Sequence, residues 1–173
     1  MLIDLLNKAK QDKFAIGAFN VGGLESLRAI AGAAKKLNSP VFVEVSPGEE
    51  KYLGLQNFVS LVNNLKEEYG IQMFLNLDHG EDINIITNAI ELGFDLVHFD
   101  GSKLPLEENI RLCQEVVTMA HSKGVLVEGE MDQIGKKLPI RNWQKSLLKK
   151  PAWIFLPFPL VTNMAWGMTK NWI

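Results

Sequence analysis

The sequence predicts an α/β fold, a (β/α)8 TIM barrel, from three observations. Short apolar strands alternate with helical segments at roughly 25–30 residues per unit, which indicates parallel strands joined by helical crossovers. Each of the five strands ends in a polar residue. The loop after the first strand, residues 20–23, lacks the Gly-x-Gly-x-x-Gly of a dinucleotide site. A doubly wound sheet begins in the same way, but its nucleotide-binding signature is missing, and the barrel is favoured.

The first two units follow an amphipathic helix at the start of the chain. Helical patterns cover residues 2–10, 24–37 and 55–69, and the first strand covers residues 15–19. Residues 41–45 form a continuous β-branched run, as a strand of a parallel sheet should. Residues 46–49 are expected to be a loop. The next strand therefore starts after residue 70.

The third strand, residues 73–77, leads into the most informative stretch of the chain. It ends in Asp78 and His79, and Gly80 is expected to make the tight turn that releases the chain. A carboxylate and an imidazole at one strand end can supply an acid/base group and a metal ligand. The same pair also occurs in solvated loops, so the pair by itself decides nothing.

Two further units complete the predicted barrel segment. A helix over residues 82–92 is followed by a strand over residues 96–99 that runs into Asp100. A helix over residues 105–122 starts with acids, which suits the helix dipole, and leads to a last strand over residues 125–130. About five of eight βα units are therefore present.

The strand ends define the candidate site. In such a barrel the chemistry lies at the C-terminal ends of the strands. The residues at these ends are Asn20, Ser46, Asp78, His79, Asp100 and Glu130. Acids or a histidine at three successive ends predict a metal-dependent site.

Composition bounds the class of protein and its compartment. Apolar residues make up 47% and charged residues 22% of the 173 residues, which is ordinary for a globular protein. One cysteine, Cys113, excludes an intramolecular disulfide and predicts a reducing, cytoplasmic location. The N-terminus lacks the pattern of a signal peptide. No nucleic-acid partner is expected.

The charge distribution divides the chain near residue 133. Residues 1–132 carry a net charge of −9, whereas the last 41 residues carry +7 and no acid. The four tryptophans and four of the seven prolines also lie in that last segment. We therefore predict a barrel segment over residues 1–135 and an atypical basic Trp/Pro-rich tail over residues 136–173.

Five motifs resemble the successive motifs of class II, zinc-dependent ketose-bisphosphate aldolases. They are Gly17-Ala18-Phe19-Asn20-Val21, Ser46-Pro47-Gly48-Glu49, Leu77-Asp78-His79-Gly80, Phe99-Asp100-Gly101-Ser102 and Val127-Glu128-Gly129-Glu130. The family includes fructose- and tagatose-bisphosphate aldolases, and the resemblance runs from about residue 1 to residue 135. It implies a TIM barrel and a lyase of carbohydrate metabolism, active in glycolysis.

The resemblance also implies roles for the site residues. Asp78 would be the catalytic proton donor and His79 a Zn²⁺ ligand. Asp100 and Glu130 match positions that bind a second divalent metal or hold displaced zinc. Bound zinc would polarise the ketone carbonyl, and the carboxylate would move a proton to or from the aldehyde oxygen.

Substrate and partners follow from the same resemblance. Asn20 and Ser46 match positions that line the substrate pocket. The substrate would be fructose or tagatose 1,6-bisphosphate, cleaved reversibly to dihydroxyacetone phosphate and glyceraldehyde 3-phosphate. The intact form would be a homo-oligomer.

The departures from the family pattern concern the metal. Family members use three histidines, two of them from strands beyond residue 135, and a glycine-rich phosphate loop that is missing here. Of the two other histidines, His98 is expected in the core and His121 on a solvated face. The chain as written is therefore expected to bind metal weakly and to lack aldolase activity. Alternatives are a non-catalytic sugar-phosphate-binding barrel fragment and a membrane-associated protein.

The tail, residues 136–173, has three interpretations. An abrupt loss of acids together with clustered tryptophans favours translation in a wrong reading frame. A membrane-binding tail is suggested by the uncharged segment over residues 151–169, although its three prolines disfavour a spanning helix. The third interpretation is a genuinely shortened domain.

The wrong-frame hypothesis has a direct test in the nucleotide sequence. Reading the other two frames past codon 135 should reveal a His-Gly pair followed by a glycine-rich turn. Three frames without these residues would contradict the hypothesis.

Overall fold

The computed structural model describes residues 2–130. The predicted boundary at residue 135 and the tail lie outside these residues. The elements in chain order are α1 (Leu2–Asp12), β1 (Gly17–Asn20), α2 (Leu24–Leu37), β2 (Val41–Val45), α3 (Pro47–Leu53), α4 (Leu55–Tyr69), β3 (Met73–Gly80), α5 (Ile83–Glu91), β4 (Leu96–Asp100), α6 (Leu106–Ser122) and β5 (Leu126–Glu130).

The five strands form one parallel sheet in the order β1-β2-β3-β4-β5. Each strand pairs with the next one in the chain, and a helix lies in every connection. A doubly wound sheet would reverse its strand order at a switch point. The predicted barrel-type α/β fold is thereby confirmed for the described residues.

On strands β2 to β5, one face of the sheet is apolar and packs against the helices. Alternate strand residues such as Val43, Leu75 and Val127 are almost completely buried there, together with Phe58 of α4. Because side chains alternate between faces with period two, the remaining strand residues all point to the opposite face. The outer layer of helices therefore leaves that opposite face as the interior of the barrel.

The interior face is apolar at one end and polar at the other. At the N-terminal ends of the strands, Phe42 and Leu96 form a second cluster with Leu2 of α1, and Phe74 packs against it. The rings of Phe42 and Phe74 lie 5.6 Å apart. Helix α1 thus covers the bottom of the barrel segment, as its amphipathic sequence requires, and the polar residues lie at the top.

Two local expectations were wrong. Residues 47–53 form helix α3, not a loop, and Ser46 and Glu49 make a capping box at its start, with Pro47 in the first turn. The sequence Ser-Pro-Gly-Glu carries that signal. The tight turn expected at Gly80 is also absent, because Gly80 pairs with Phe99 inside the sheet.

The backbone strain lies at His79 instead of Gly80. His79 has a φ of 51°, in the left-handed region, and the register between β3 and β4 shifts between Leu77 and Gly80. Gly80 is needed for a different reason. A Cβ there would lie 2.9 Å from Ile86 and 3.1 Å from the carbonyl oxygen of His98.

Phe58 is fully buried beside Phe94, with ring centroids 6.0 Å apart. We therefore expect truncation of Phe58 to lower the stability of the fold substantially. Phe58→Ala should lower the free energy of unfolding by about 3–5 kcal/mol, because the cavity adds to the lost transfer term. Denaturant titration measures it. Tyr52→Ala is the matched control, since Tyr52 is 80% exposed and its removal should change stability by less than about 0.5 kcal/mol.

Candidate active site

The site is built by the top ends of three neighbouring strands. Asp100 ends β4 and Glu130 ends β5, and the two residues are partners in the parallel register. Side chains that are partners in this register lie on the same face. Both carboxylates therefore point into the barrel interior, and the side chain of each is only 11% exposed.

His79 completes a three-residue cluster with these carboxylates. Its Nδ1 lies 3.0 Å from Asp100 Oδ2 and 3.2 Å from Glu130 Oε2. The ligating atoms of the three side chains all lie within 4.8 Å of one another. One imidazole and two carboxylates at this spacing can hold a divalent cation.

Asp78 lies beside this cluster and is held from two sides. Its Oδ2 accepts a hydrogen bond of 3.0 Å from Asn20 Nδ2 at the end of β1. Its Oδ1 lies 3.5 Å from Nδ1 of His98 and 3.9 Å from Nε2 of His79. The predicted proton donor and one predicted substrate-binding residue are thus in direct contact.

His98 also belongs to the site, which the sequence-based prediction did not include. It is buried, as expected, with 7% exposure, but its Nε2 lies 3.3 Å from Glu130 Oε2 and its ring centroid 4.5 Å from that of His79. The sequence did contain a sign of this placement, because His98 precedes Asp100 by two residues and therefore lies on the same face of β4. His121 is exposed on α6, as predicted.

Ser46 is engaged elsewhere within the described structure. Its main-chain N–H donates to Glu49 Oε2 at 2.8 Å, and its hydroxyl contacts the same carboxylate. This is the cap of α3. The substrate role of Ser46 stays a prediction, and it would require the hydroxyl to exchange this partner for a ligand.

A polar layer lies one step deeper in the barrel. Asn76 Nδ2 donates to Glu44 Oε1 at 2.7 Å, and Glu128 is the register partner of His98. Burial raises the pKa of Glu44 to about 7 and also raises the pKa of Glu128. Hence these two carboxyl groups favour the neutral form more than Asp78 and Asp100 above them do.

The side chains at the strand ends shift the pKa values of one another. Hydrogen bonding to His79 holds the pKa of Asp100 well below its usual range, and the same contact raises the pKa of His79. Burial alone would raise the pKa of Asp78, but His98 and Asn20 outweigh it and the pKa is lowered. Asp78 and Asp100 are therefore carboxylates at neutral pH.

The neighbours of His98 favour two different protonation states of its ring. Burial lowers its pKa, but Asp78 and Glu130 outweigh burial and raise the pKa to about 10. The main-chain N–H of His79, however, donates to His98 Nδ1 at 3.3 Å, which requires that nitrogen to be unprotonated. A divalent cation among the carboxylates would offset their charge and remove the conflict.

Two buried atoms of the described site have no hydrogen-bond partner, namely Nε2 of His98 and Oε2 of Glu130. An unpaired buried carboxylate oxygen beside an imidazole fits a position for a cation. The donor set of His79, Asp100 and Glu130 fits a divalent metal, since it combines a borderline nitrogen with hard oxygens. A bound metal is thus compatible with the residues present.

The fold and the site together define a class of protein: an α/β-barrel enzyme whose polar residues converge at the C-terminal strand ends. Comparison with known proteins then identifies the family. The family profile described as "Fructose-bisphosphate aldolase class-II" matches residues 1–152. The chain belongs to the class II fructose-bisphosphate aldolase family.

Curated relatives agree with this assignment. The chain is 42% identical over 134 residues to the 6-phospho-5-dehydro-2-deoxy-D-gluconate aldolase of Shouchella clausii, covering 76% of this chain and 46% of that protein. It is 39% identical over 135 residues to the fructose-bisphosphate aldolase of Geobacillus stearothermophilus, covering 76% and 47%. The chain thus spans about half the length of the curated relatives it matches.

Solved structures are similar as well. The YdjI aldolase from Escherichia coli K12 superimposes with a TM-score of 0.67 at 31% identity, covering 72% of this chain and 49% of that one. The fructose-bisphosphate aldolase from Campylobacter jejuni gives a TM-score of 0.70 at 30% identity, covering 78% and 47%. The family resemblance seen in the motifs is confirmed.

The profile match extends past the predicted boundary at residue 135, which stays a prediction because it lies beyond the described residues. Within residues 2–130, none of the helices has the length and apolarity needed to cross a membrane. The membrane-binding interpretation of the tail concerns residues outside that range.

The pair of His79 and Asp100 predicts a pH dependence of stability in the chelator-treated protein. The pKa of Asp100 is lowered, so its stabilisation is present above the ordinary value of 3.8 and is lost as the pH falls below it. The pKa of His79 is raised, so its stabilisation is complete below the ordinary value of 6.5 and is lost as the pH rises above it.

Asp100→Asn should flatten both limbs of this pH profile, because it removes the charge that the imidazole faces. Urea unfolding between pH 3 and pH 9 measures the free energy at each point. His121→Gln on the solvated face of α6 should leave the profile unchanged. Because the lowered pKa of Asp78 and the raised pKa of His98 keep part of each limb, only unchanged slopes in Asp100→Asn would contradict the assigned pairing.

Proposed function

We propose that this protein is a metal-dependent ketose-bisphosphate aldolase that catalyses reversible aldol cleavage. The observation that carries the proposal is the cluster of His79, Asp100 and Glu130 next to Asp78, at the strand ends of a barrel-type sheet. Family membership supports the reaction class. The lone cysteine, Cys113, supports a cytoplasmic location.

His79, Asp100 and Glu130 would hold the metal, which we propose is Zn²⁺. When bound, it supplies Lewis-acid polarisation of a ketone carbonyl and stabilises negative charge as the carbon–carbon bond breaks. Asp100 and Glu130 are neighbours on adjacent strands, so their carboxyl groups also suit a second divalent cation, as the family resemblance implies. The proposal leaves the carboxylate of Asp78 free for proton transfer.

Asp78 would move the proton. In the cleavage direction its carboxylate takes the proton from the substrate hydroxyl whose carbon becomes the aldehyde, and in the condensation direction it returns that proton to the aldehyde oxygen. Its lowered pKa keeps it ionised and ready to accept. The hydrogen bond from Asn20 Nδ2 orients the carboxylate of Asp78. The side-chain oxygen of Asn20, Oδ1, would then accept a hydrogen bond from a substrate hydroxyl.

The proposed substrate is fructose or tagatose 1,6-bisphosphate, with dihydroxyacetone phosphate and glyceraldehyde 3-phosphate as products. Relatives named for fructose bisphosphate support this choice. One relative is named for 6-phospho-5-dehydro-2-deoxy-D-gluconate, which shares a phosphate and a ketone. Side-by-side assays on the three compounds decide among them. A homo-oligomer is the proposed intact form.

We also propose that the 173-residue chain as written does not cleave substrate. Neither possible metal-binding group of the described residues has three imidazoles, since His79, Asp100 and Glu130 offer one, and Asp78, His79 and His98 offer two. Donor sets that include carboxylates hold Zn²⁺ less tightly and less selectively than three histidines do. Such a chain would act as a sugar-phosphate-binding barrel at most. Measurable cleavage by this chain, sensitive to a chelator, would overturn that part of the proposal.

The catalytic roles are tested in a chimera that joins residues 1–130 to the remaining strands of the Geobacillus stearothermophilus aldolase. Asp78→Asn should lower kcat by about 10²- to 10⁴-fold and leave Zn²⁺ bound, because it removes only proton transfer. His79→Ala should lower both turnover and Zn²⁺ content. A coupled assay for dihydroxyacetone phosphate and metal analysis after dialysis measure the two quantities.

The unmodified Geobacillus enzyme and His121→Gln are the controls for that experiment. Turnover that survives a strong chelator would contradict the metal mechanism. Full activity in Asp78→Asn would remove Asp78 from its proposed role.

A further inference from the structure

We propose that His98 is a positioning residue, whose buried imidazole holds the main chain of His79 through Nδ1 and packs with Nε2 against the carboxylate of Glu130. The proposal rests on the proposed function, because it assigns His98 a task at the metal centre formed by His79, Asp100 and Glu130. With the metal on His79, Asp100 and Glu130, His98 itself would touch neither metal nor substrate. A metal held by Asp78, His79 and His98, whose ligand atoms also lie close together, would make it a ligand instead. Its task is to fix the residues that do.

The first step concerns the left-handed conformation of His79. Because the register of β3 against β4 shifts between Leu77 and Gly80, the main chain of His79 leaves the regular ladder. Its N–H donates instead to His98 Nδ1 at 3.3 Å. A left-handed non-glycine residue persists only where surrounding contacts determine it. The imidazole of His98 is such a contact.

The second step concerns Glu130. Its Oε2 and Nε2 of His98 lie 3.3 Å apart, and both atoms are buried without any hydrogen-bond partner in the described structure. The Nε2 edge of the ring thus faces the Glu130 carboxylate on the inner side of the site.

The third step is the mutual placement of the two rings. The rings of His79 and His98 have centroids 4.5 Å apart and are inclined by 47°. The side chain of His98 is only 8% exposed, whereas that of His79 is 43% exposed. The buried ring therefore supports the ring that faces the substrate side. The remaining polar contact of His98 is the 3.5 Å approach of Nδ1 to Asp78 Oδ1.

Two amide variants separate the two contacts. In His98→Asn the side-chain oxygen lies near the place of Nδ1 and can still accept from the His79 N–H, but it cannot reach Glu130. In His98→Gln the amide nitrogen lies near the place of Nε2 and reaches Glu130, but the acceptor at His79 is lost. His98→Leu removes both contacts at similar volume, and His121→Gln is the matched surface control.

The first readout is the hydrogen–deuterium exchange rate of the His79 amide, measured by NMR in the 173-residue chain with and without Zn²⁺. The rate should rise about tenfold in His98→Gln and His98→Leu and stay close to wild type in His98→Asn and His121→Gln. The amides of Val97 and Phe99 on the same strand as His98 should not change. Equal rates at His79 in all variants would overturn the proposal.

The second readout is Zn²⁺ affinity by competition with a chelating dye. The dissociation constant should rise about 10- to 100-fold in His98→Leu, as expected when a group that orients metal ligands is removed. Unchanged affinity, or faster exchange at Val97 and Phe99 together with His79, would overturn a positioning role. A wild-type chain that binds no Zn²⁺ contradicts the proposed function, while the exchange rates still decide the contact with His79.

Discussion

Parallel pairing of consecutive strands is the constraint on which the rest of the structure depends. Because β1 to β5 run in the same direction and in chain order, all five carboxyl ends meet at one edge of the sheet. The register then decides which side chains share a face. Asp100 and Glu130 are brought together in this way, although they are 30 residues apart in the chain. The site is a consequence of the pairing.

The barrel interior separates two kinds of chemistry along the strands. Its lower part is closed by Leu2 of α1 against Phe42 and Leu96, which keeps water from the bottom of the sheet. Its upper part holds carboxylates and imidazoles that are mostly buried. Charges in such a place are stable only when they are paired, hydrogen-bonded or bound to a metal. The upper part is therefore suited to binding and reaction, and the lower part to stability.

His79 combines a left-handed backbone conformation with close contacts to two carboxylates. The left-handed backbone of this residue turns its ring towards Asp100 and Glu130, while its main-chain N–H turns towards His98. Asp78, its neighbour in sequence, faces Asn20 and His98 instead. One irregular position in β3 thus directs two adjacent side chains to two different sets of partners. A regular strand would place these side chains on opposite faces of the sheet.

The fold and most of the candidate site could be predicted from the sequence alone. Helical spacing and β-branched runs predict the alternating elements, and Asp78, His79, Asp100 and Glu130 are visible as polar residues at strand ends. These features are local, so they can be read from neighbouring residues. Family motifs carry the same information, since each motif is one strand end. Helix α3 was missed, although the capping signal of Ser46 and Glu49 was there to be read.

The contacts between these residues follow from the packing of distant strands. His98 looked like a core histidine, and its place between His79 and Glu130 depends on the register of β4 with β5 and on the irregularity of β3. Positive φ falls on His79 instead of Gly80, and Gly80 is needed because a Cβ there would meet Ile86 and the backbone of β4. Distances, burial and the pKa values that follow from them arise from contacts between distant strands, which no local pattern encodes.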